Sequence, residues 1–256
     1  MSENTVPDAE LEIHRDQTEP GVTRIVLTRA KTGNSLTNSL VASLAEAVAA
    51  CYTDGTRMLV IEGSGNHFCT GFDLSGLDSE TDDSLLSRFV RVELLLQSVH
   101  YAPFLTLALA HGRVFGAGAD LFAACEERWI LDSASFAFPG AAFGLVLGTA
   151  RLARRVGVDR TRAWIREGRE LSAAQALESG LATRALALTD LPEALAALTV
   201  GAKRLEPSVQ DAIRRASLGN DLHAGAQDLQ ELVLSAARPG LVARIQAYRN
   251  AAKARR

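Results

Sequence analysis

From His111 to Cys125 (HGRVFGAGADLFAAC) a glycine-rich turn, with Gly112, Gly116 and Gly118, runs into an apolar helix that carries one acid, Asp120. Glycine has no Cβ, so the backbone there can turn sharply and a ligand can approach it closely. A helix starting near Phe115 to Ala117 leaves its first N–H groups unpaired and carries partial positive charge at that end. These residue types at this spacing describe a site for an anion, or for an oxyanion that forms during a reaction, with one carboxyl a turn away. The glycines also fit a plainer reading, close packing of a helix on a strand, and Asp120 one in which it caps its own helix or faces solvent.

A second stretch, Gly63-Ser64-Gly65-Asn66-His67-Phe68-Cys69-Thr70-Gly71-Phe72-Asp73-Leu74, follows a short apolar segment. Gly63 and Gly65 open like a dinucleotide-binding fingerprint, but Phe68 stands where its third glycine belongs and no amphipathic helix begins there. His67 and His111 lie in the two stretches, yet a serine hydrolase needs a serine between Gly112 and Gly118, and none is present. Cys51, Cys69 and Cys125 form no CxxC pair, which argues against a zinc site. Widely spaced thiols with apolar flanks fit a reduced, cytoplasmic protein.

The elements that must position these stretches alternate along the first half of the chain. Leu11 to Arg15 and Val22 to Thr28 read as a hairpin around Glu19-Pro20-Gly21, after a loose tail of about ten residues. Leu36, Leu40, Leu44, Ala47 and Val48 recur at helical spacing, so a helix runs to about Tyr52. A strand at Met58 to Ile61, a helix at Ser84 to His100 and a buried strand at Pro103 to Ala110 lead into the glycine-rich stretch. Strands at Trp129 to Leu131 and Ser135 to Phe138 flank a turn at Asp132-Ser133. From Thr149 onward helix follows helix, with Gly or Pro at the breaks (Gly157, Gly168, Gly180, Pro207, Gly219, Pro239). The result is an α/β core followed by a helical region.

The chain has 256 residues, 47% of them apolar and 22% charged, with a net charge of −3, which is the composition of an ordinary globular protein. That charge gives no reason to expect nucleic acid or an anionic membrane as partner. No apolar run reaches the roughly 18 residues that cross a bilayer, and the polar, acidic N-terminus carries no targeting pattern. A small-molecule site is the expectation.

Taken together and in order, the two stretches resemble the crotonase superfamily, the enoyl-CoA hydratase/isomerase family. HFCTGFDL is similar to that family's F-[SC]-A-G-x-D-[LI] segment, and HGRVFGAGADLFAACEERWILDSASF to its N-G-x-A-x-G-G-G-x-E-L-A-x-A-C-D-x-R-I-A segment, without a gap. LTRAKTGNSL, FPGAAFGLVLGTARLARRVG and ALESGLATRAL echo further family segments, so the likeness spans about residues 11 to 250. It implies a ClpP/crotonase-type α/β fold with a spiral core of repeated ββα units. Residues 1–200 are then the core with its acyl-CoA site, and residues 201–256 a helical region that builds a trimer or a dimer of trimers.

The resemblance also implies a mechanism. An acyl-CoA thioester directs its carbonyl oxygen at two backbone N–H groups, which by position are those of Phe72 and Ala117. Coenzyme A is part of the substrate, and no other cofactor or metal is implied. Substrate contacts fall by position on Lys31, Asn34, Ser35 and Leu36, on Cys69, Gly71 and Asp73, and on Gly116, Gly140 and Phe143; Lys253 is a further candidate for CoA. Family hydratases use two glutamates, at the positions of Asp120 and Gly140. Here the first is shortened by a methylene and the second is absent, so ordinary hydration and isomerisation are both in question. A lyase or hydrolase acting on a non-standard acyl-CoA, and a CoA-binding protein that has lost its chemistry, stay open beside the hydratase/isomerase reading. Glu93, on the helix before the central strand, reads as part of a solvated face.

Overall fold

The computed structural model describes residues 10–15, 20–218 and 221–254. The expected tail before residue 10, Glu19, Gly219 and the Arg255-Arg256 end lie outside the described residues. Strands β1 (Leu11–Arg15) and β2 (Val22–Leu27) form the antiparallel hairpin. Strands β3 (Met58–Gly63), β4 (Leu105–Phe115) and β5 (Glu127–Ala137) then add in parallel, in the order β1-β2-β3-β4-β5. Two short strands close the far edge: β6 (Leu171–Ser172) runs antiparallel to β5, and β7 (Arg184–Leu186) parallel to it.

Parallel neighbours need a crossover between them, and three helices supply it. They are α1 (Asn38–Cys51), α2 (Asp82–His100) and α3 (Ala117–Ala124). The Thr37 hydroxyl caps α1 by accepting the Leu40 N–H at 3.0 Å, and Thr81 and Ser84 form a reciprocal capping box on α2. That box starts α2 two residues before the expected Ser84.

Both faces of the sheet are covered, which is why its strands read as continuous apolar runs. Alternate residues serve opposite layers. Leu59 and Ile61 pack with Leu44 and Val48 of α1 and Leu96 of α2, whereas Met58 and Val60 pack with Leu107, Trp129 and α7 (Leu191–Lys203).

Between β5 and α7 lie α4 (Thr149–Val156), α5 (Val158–Glu167) and α6 (Ala173–Glu178); α8 (Pro207–Leu218), α9 (Asp221–Ala236) and α10 (Leu241–Ala254) follow. The last two fold back over the core. Gln97 on α2 donates to the Gly225 carbonyl on α9 at 2.8 Å. The Asp82 carboxylate accepts the Gly240 and Val242 N–H groups at 2.7 and 2.9 Å, fixing the start of α10 beside α2.

The expected glycine-rich turn differs in extent. Strand β4 does not stop at Ala110 but runs to Phe115, with a register shift against β5 between Ala110 and Gly112. Gly112 takes a positive φ of 57°, and a Cβ there would lie 1.9 Å from the Asn66 carbonyl oxygen. It is glycine because the second stretch presses on it. Likewise the two strands expected around Asp132-Ser133 are one bulged strand, β5, in which Asp132 adopts φ 55° and accepts the Leu188 N–H.

Candidate active site

The two stretches meet at the C-terminal end of β4. Cys69 bridges to Val114 in parallel, with its carbonyl accepting the Phe115 N–H at 3.0 Å. Phe72 bridges to Leu36, so the loop after β2 is bound to the same unit. In that bridge Leu36 donates to the Gly71 carbonyl and Asp73 donates to the Leu36 carbonyl, and the Phe72 N–H faces the other way. Among the described residues the amide N–H groups of Phe72 and Ala117 have no hydrogen-bond acceptor.

They lie on adjoining backbone. A Cβ at Gly71 would sit 2.7 Å from the Phe115 carbonyl oxygen and 3.4 Å from the Ala117 nitrogen, and Gly71 itself has φ 96°. Glycine is needed here for the approach and for the conformation alike. Ala117 is the first residue of α3, entered through Gly116 at φ 52°. Two unpaired N–H groups on neighbouring segments, one of them at a helix start, can together bind a developing negative charge.

Asp120 lies one turn into α3, a helix whose eight residues are all buried. Its carboxyl makes no hydrogen bond among the described residues and packs on Gly148, just before α4. Burial pushes its pKa up to about 8, against the pull of Arg151 and with a further push from Glu93. Gly140 lies on the short turn Pro139–Phe143, and a Cβ there would meet only Leu145, at 3.5 and 3.9 Å. The position has room for a side chain and no constraint on φ, yet carries none.

The other expected contact residues differ in setting. Lys31 is exposed on the turn Ala30–Thr32. Asn34 and Ser35 are buried and engaged by the protein itself: Asn34 Nδ2 donates to the Ser64 and His67 carbonyls, and the Ser35 hydroxyl donates to Asp73 at 2.9 Å. Asp73 also holds Arg29 at 3.1 Å and the Ser75 N–H at 2.8 Å. Burial alone would raise its pKa, but the hydrogen bonds from Ser75 and Ser35 and the Arg29 contact prevail and hold it at about 2. Cys69 is fully buried, and burial pushes its thiol up to about 12. Phe143 is half-buried against Tyr248 of α10, with ring centroids 5.4 Å apart.

The Phe72 ring stacks on Phe89 of α2 at 4.2 Å, under the Arg88 guanidinium. The loop histidines are occupied by backbone: His111 Nε2 contacts the Gly65 carbonyl at 2.8 Å, and His67 Nδ1 accepts the Arg113 N–H at 3.2 Å.

Sequence reasoning missed a buried ionic cluster beside the acid. Glu93 is not on a solvated face; it is fully buried and accepts both Nη groups of Arg151, at 2.8 and 2.5 Å. Arg151, on α4, is equally buried and also reaches Asp228 of α9 at 3.3 Å. Its position is visible in hindsight, because Glu93 shares the spacing of Leu85, Phe89, Val92, Leu96 and His100, the buried face of α2.

Comparison with known proteins gives the family. The family model for enoyl-CoA hydratase/isomerase matches residues 17–234. This chain belongs to that family. It is similar to a probable enoyl-CoA hydratase of Mycobacterium leprae, 34% identical over 177 residues that cover 66% of this chain and 70% of the relative. A solved enoyl-CoA hydratase/isomerase-type structure from Bordetella parapertussis superposes with a TM-score of 0.89 at 38% identity, covering 93% of this chain and 98% of the other. An ethylmalonyl-CoA decarboxylase of Gallus gallus is 27% identical over 185 residues, 70% of this chain and 61% of the relative. The family member described here therefore has the crotonase-type α/β fold with C-terminal helices, and is an enzyme of a family that acts on acyl-CoA. None of the helices among the described residues is long and apolar enough to cross a membrane.

Proposed function

We propose that this family member binds an acyl-CoA thioester with its carbonyl oxygen at the amides of Phe72 and Ala117, and stabilises the enolate or oxyanion that forms there. The observation that carries the reading is the pair of unpaired N–H groups on adjoining backbone, with Asp120 one turn further along α3. Fixed dipoles of this kind act without reorganising during the reaction, and removing one donor typically costs about 10²–10³ in rate. Coenzyme A arrives as part of the substrate, and no other cofactor takes part. The exposed Lys31 and the C-terminal Lys253 supply point charges for its phosphates. A homotrimer or dimer of trimers in the cytoplasm completes the reading, in keeping with three buried free cysteines.

Hydration by paired acids lacks its second member at Gly140. A second reading, decarboxylation of a 2-carboxyacyl-CoA, is favoured by Asp120 being buried with no hydrogen-bond partner among the described residues and having a raised pKa. In that reaction CO2 leaves while the electron pair of the broken C–C bond stays on the thioester as an enolate, so no base is needed. A proton then passes to the α-carbon.

A panel of crotonoyl-CoA, longer 2-enoyl-CoA, malonyl-type CoA and saturated acyl-CoA thioesters tests both. Turnover of an enoyl thioester supports the first reading and CO2 release the second. Binding throughout with no turnover would leave a CoA-binding protein.

A further inference from the structure

A thioester carbonyl carries two substituents. With its oxygen at the Phe72 and Ala117 amides and its reacting carbons near Asp120, coenzyme A runs out to solvent and the rest of the acyl group continues past Asp120. The Asp120 carboxyl packs on Gly148, and the residue before Gly148 is Leu147. Leu147 and Phe72 are each packed against two apolar clusters: the main core, which holds Ala117, and a second cluster built from α2, α9 and α10. An acyl chain that grows beyond the reacting carbons therefore meets Leu147 and Phe72, and behind them the second cluster.

That cluster is closed. Leu85, Leu232, Leu241 and Ile245 have no accessible surface, and Phe89 and Leu145 keep only 1% and 4% of theirs. A void large enough for a water molecule leaves accessible area on the side chains around it, so no channel of acyl width runs along these residues. Its walls are also tied together. Arg244 of α10 donates from Nε to the Phe143 carbonyl at 3.0 Å, and the Val146 N–H donates to the Ser235 hydroxyl of α9 at 3.0 Å, which fixes the segment before Leu147 to both helices. The Phe72 ring stacks on Phe89 and lies under the Arg88 guanidinium, 4.2 Å from each. Arg88 is held in turn by the Glu80 carboxylate and the Asp73 carbonyl. Forcing extra methylenes into such packing displaces side chains and backbone, and costs binding.

We propose that the side chains of Phe72 and Leu147 end the acyl pocket, which makes this family member selective for short acyl groups, of butyryl or crotonoyl size, over octanoyl and longer chains. The inference rests on the acyl-CoA reading and adds to it the size of the group. Phe72 then serves twice: its backbone N–H meets the thioester oxygen, and its ring bounds the acyl chain.

The test compares butyryl-CoA, octanoyl-CoA and free coenzyme A by calorimetry on the full-length protein, alongside Phe72→Ala and Leu147→Ala. A chain that entered an open apolar pocket would gain about fourfold in affinity per methylene. The expected result is the reverse: butyryl-CoA binds more tightly than coenzyme A, and octanoyl-CoA falls back to the affinity of coenzyme A itself. Each variant makes room and keeps the backbone N–H, so the affinity for octanoyl-CoA relative to butyryl-CoA should rise by at least about tenfold within the same protein. Loss of stability alone would not move that ratio, and either variant suffices if the other does not fold. Octanoyl-CoA binding as tightly as butyryl-CoA or more tightly, or an unchanged ratio in a folded variant, overturns the size limit and leaves the acyl-CoA reading standing. If neither thioester binds, the acyl-CoA reading falls and the size limit with it.

Discussion

The carboxyl of Asp120 and the α-carbon of Gly148 are in such close contact that a Cβ at Gly148 would lie 2.2 Å from Asp120 Oδ1. Gly148 also has φ 65°, a backbone conformation that disfavours any side chain. Gly148→Ala therefore strains the start of α4 and displaces the acid. Thermal unfolding should show a loss of about 1–3 kcal/mol, and kcat should fall by about 10²-fold, as expected when a reacting group moves by about 1 Å. Wild-type activity in a folded Gly148→Ala protein would contradict a role for Asp120 at that position.

Ala117→Pro removes one N–H and sets the ring Cδ in its place, at the position proposed for the thioester oxygen. Proline is tolerated at the first position of a helix, where its missing N–H has no intrahelical partner in any case. A folded Ala117→Pro protein should lose at least about 10²–10³-fold in kcat/KM, measured on whichever thioester the wild type turns over. An unchanged kcat/KM would remove Ala117 from the mechanism.

At Gly140 the backbone leaves room, with the nearest atoms to a new Cβ at 3.5 and 3.9 Å, both from Leu145. Gly140→Glu should fold with near-wild-type stability. If the missing second acid is what limits hydration, crotonoyl-CoA hydration should rise by at least about tenfold, within the range that a positioned acid or base contributes.

Asp73 sets a pH window for stability. Its pKa of about 2 in the folded protein lies below the ordinary value of 3.8. The stabilisation is fully present above about pH 4 and is lost as pH falls toward 2. Asp73→Asn should cost about 1–3 kcal/mol at pH 7, because the Ser35, Ser75 and Arg29 donors lose an ionised acceptor. The gap between variant and wild type in urea titrations should close as pH falls through that window.

Asp120 gives the opposite slope. Its folded pKa is raised to about 8, so the protein loses stability as pH rises from about 4 towards 8. Asp120→Asn abolishes that dependence, and the variant should unfold at a higher temperature than wild type at pH 8 to 9. Parallel melting curves of the two proteins across pH 5 to 9 would speak against the buried acid's raised pKa.

Much of this protein is written locally in its chain. The glycines at 71, 112 and 116, the apolar run of β4 and the periodicity of α1 and α2 are short-range signals, because backbone conformation and one-sided burial impose residue types within a few positions. They sufficed for the α/β core, for the helical second half and for the family likeness. Other features left no such trace. Strands β6 and β7 are two and three residues long, too short for a period to show. The need for glycine at position 112 comes from Asn66, which lies against it from another loop.

The ionic cluster is the clearest case. Glu93 and Arg151 are 58 positions apart, and Arg151 and Asp228 are 77 apart. Arg151 and Asp228 each read as an ordinary charged helix residue, and the spacing of Glu93 shows only that it lies on the buried face of α2, not what it pairs with. The sequence by itself marked two glycine-rich backbone segments and the one acid that follows the second of them. Only the tertiary structure decided what surrounds that acid, because burial and the sharing of one cation by two carboxylates come from packing four helices together.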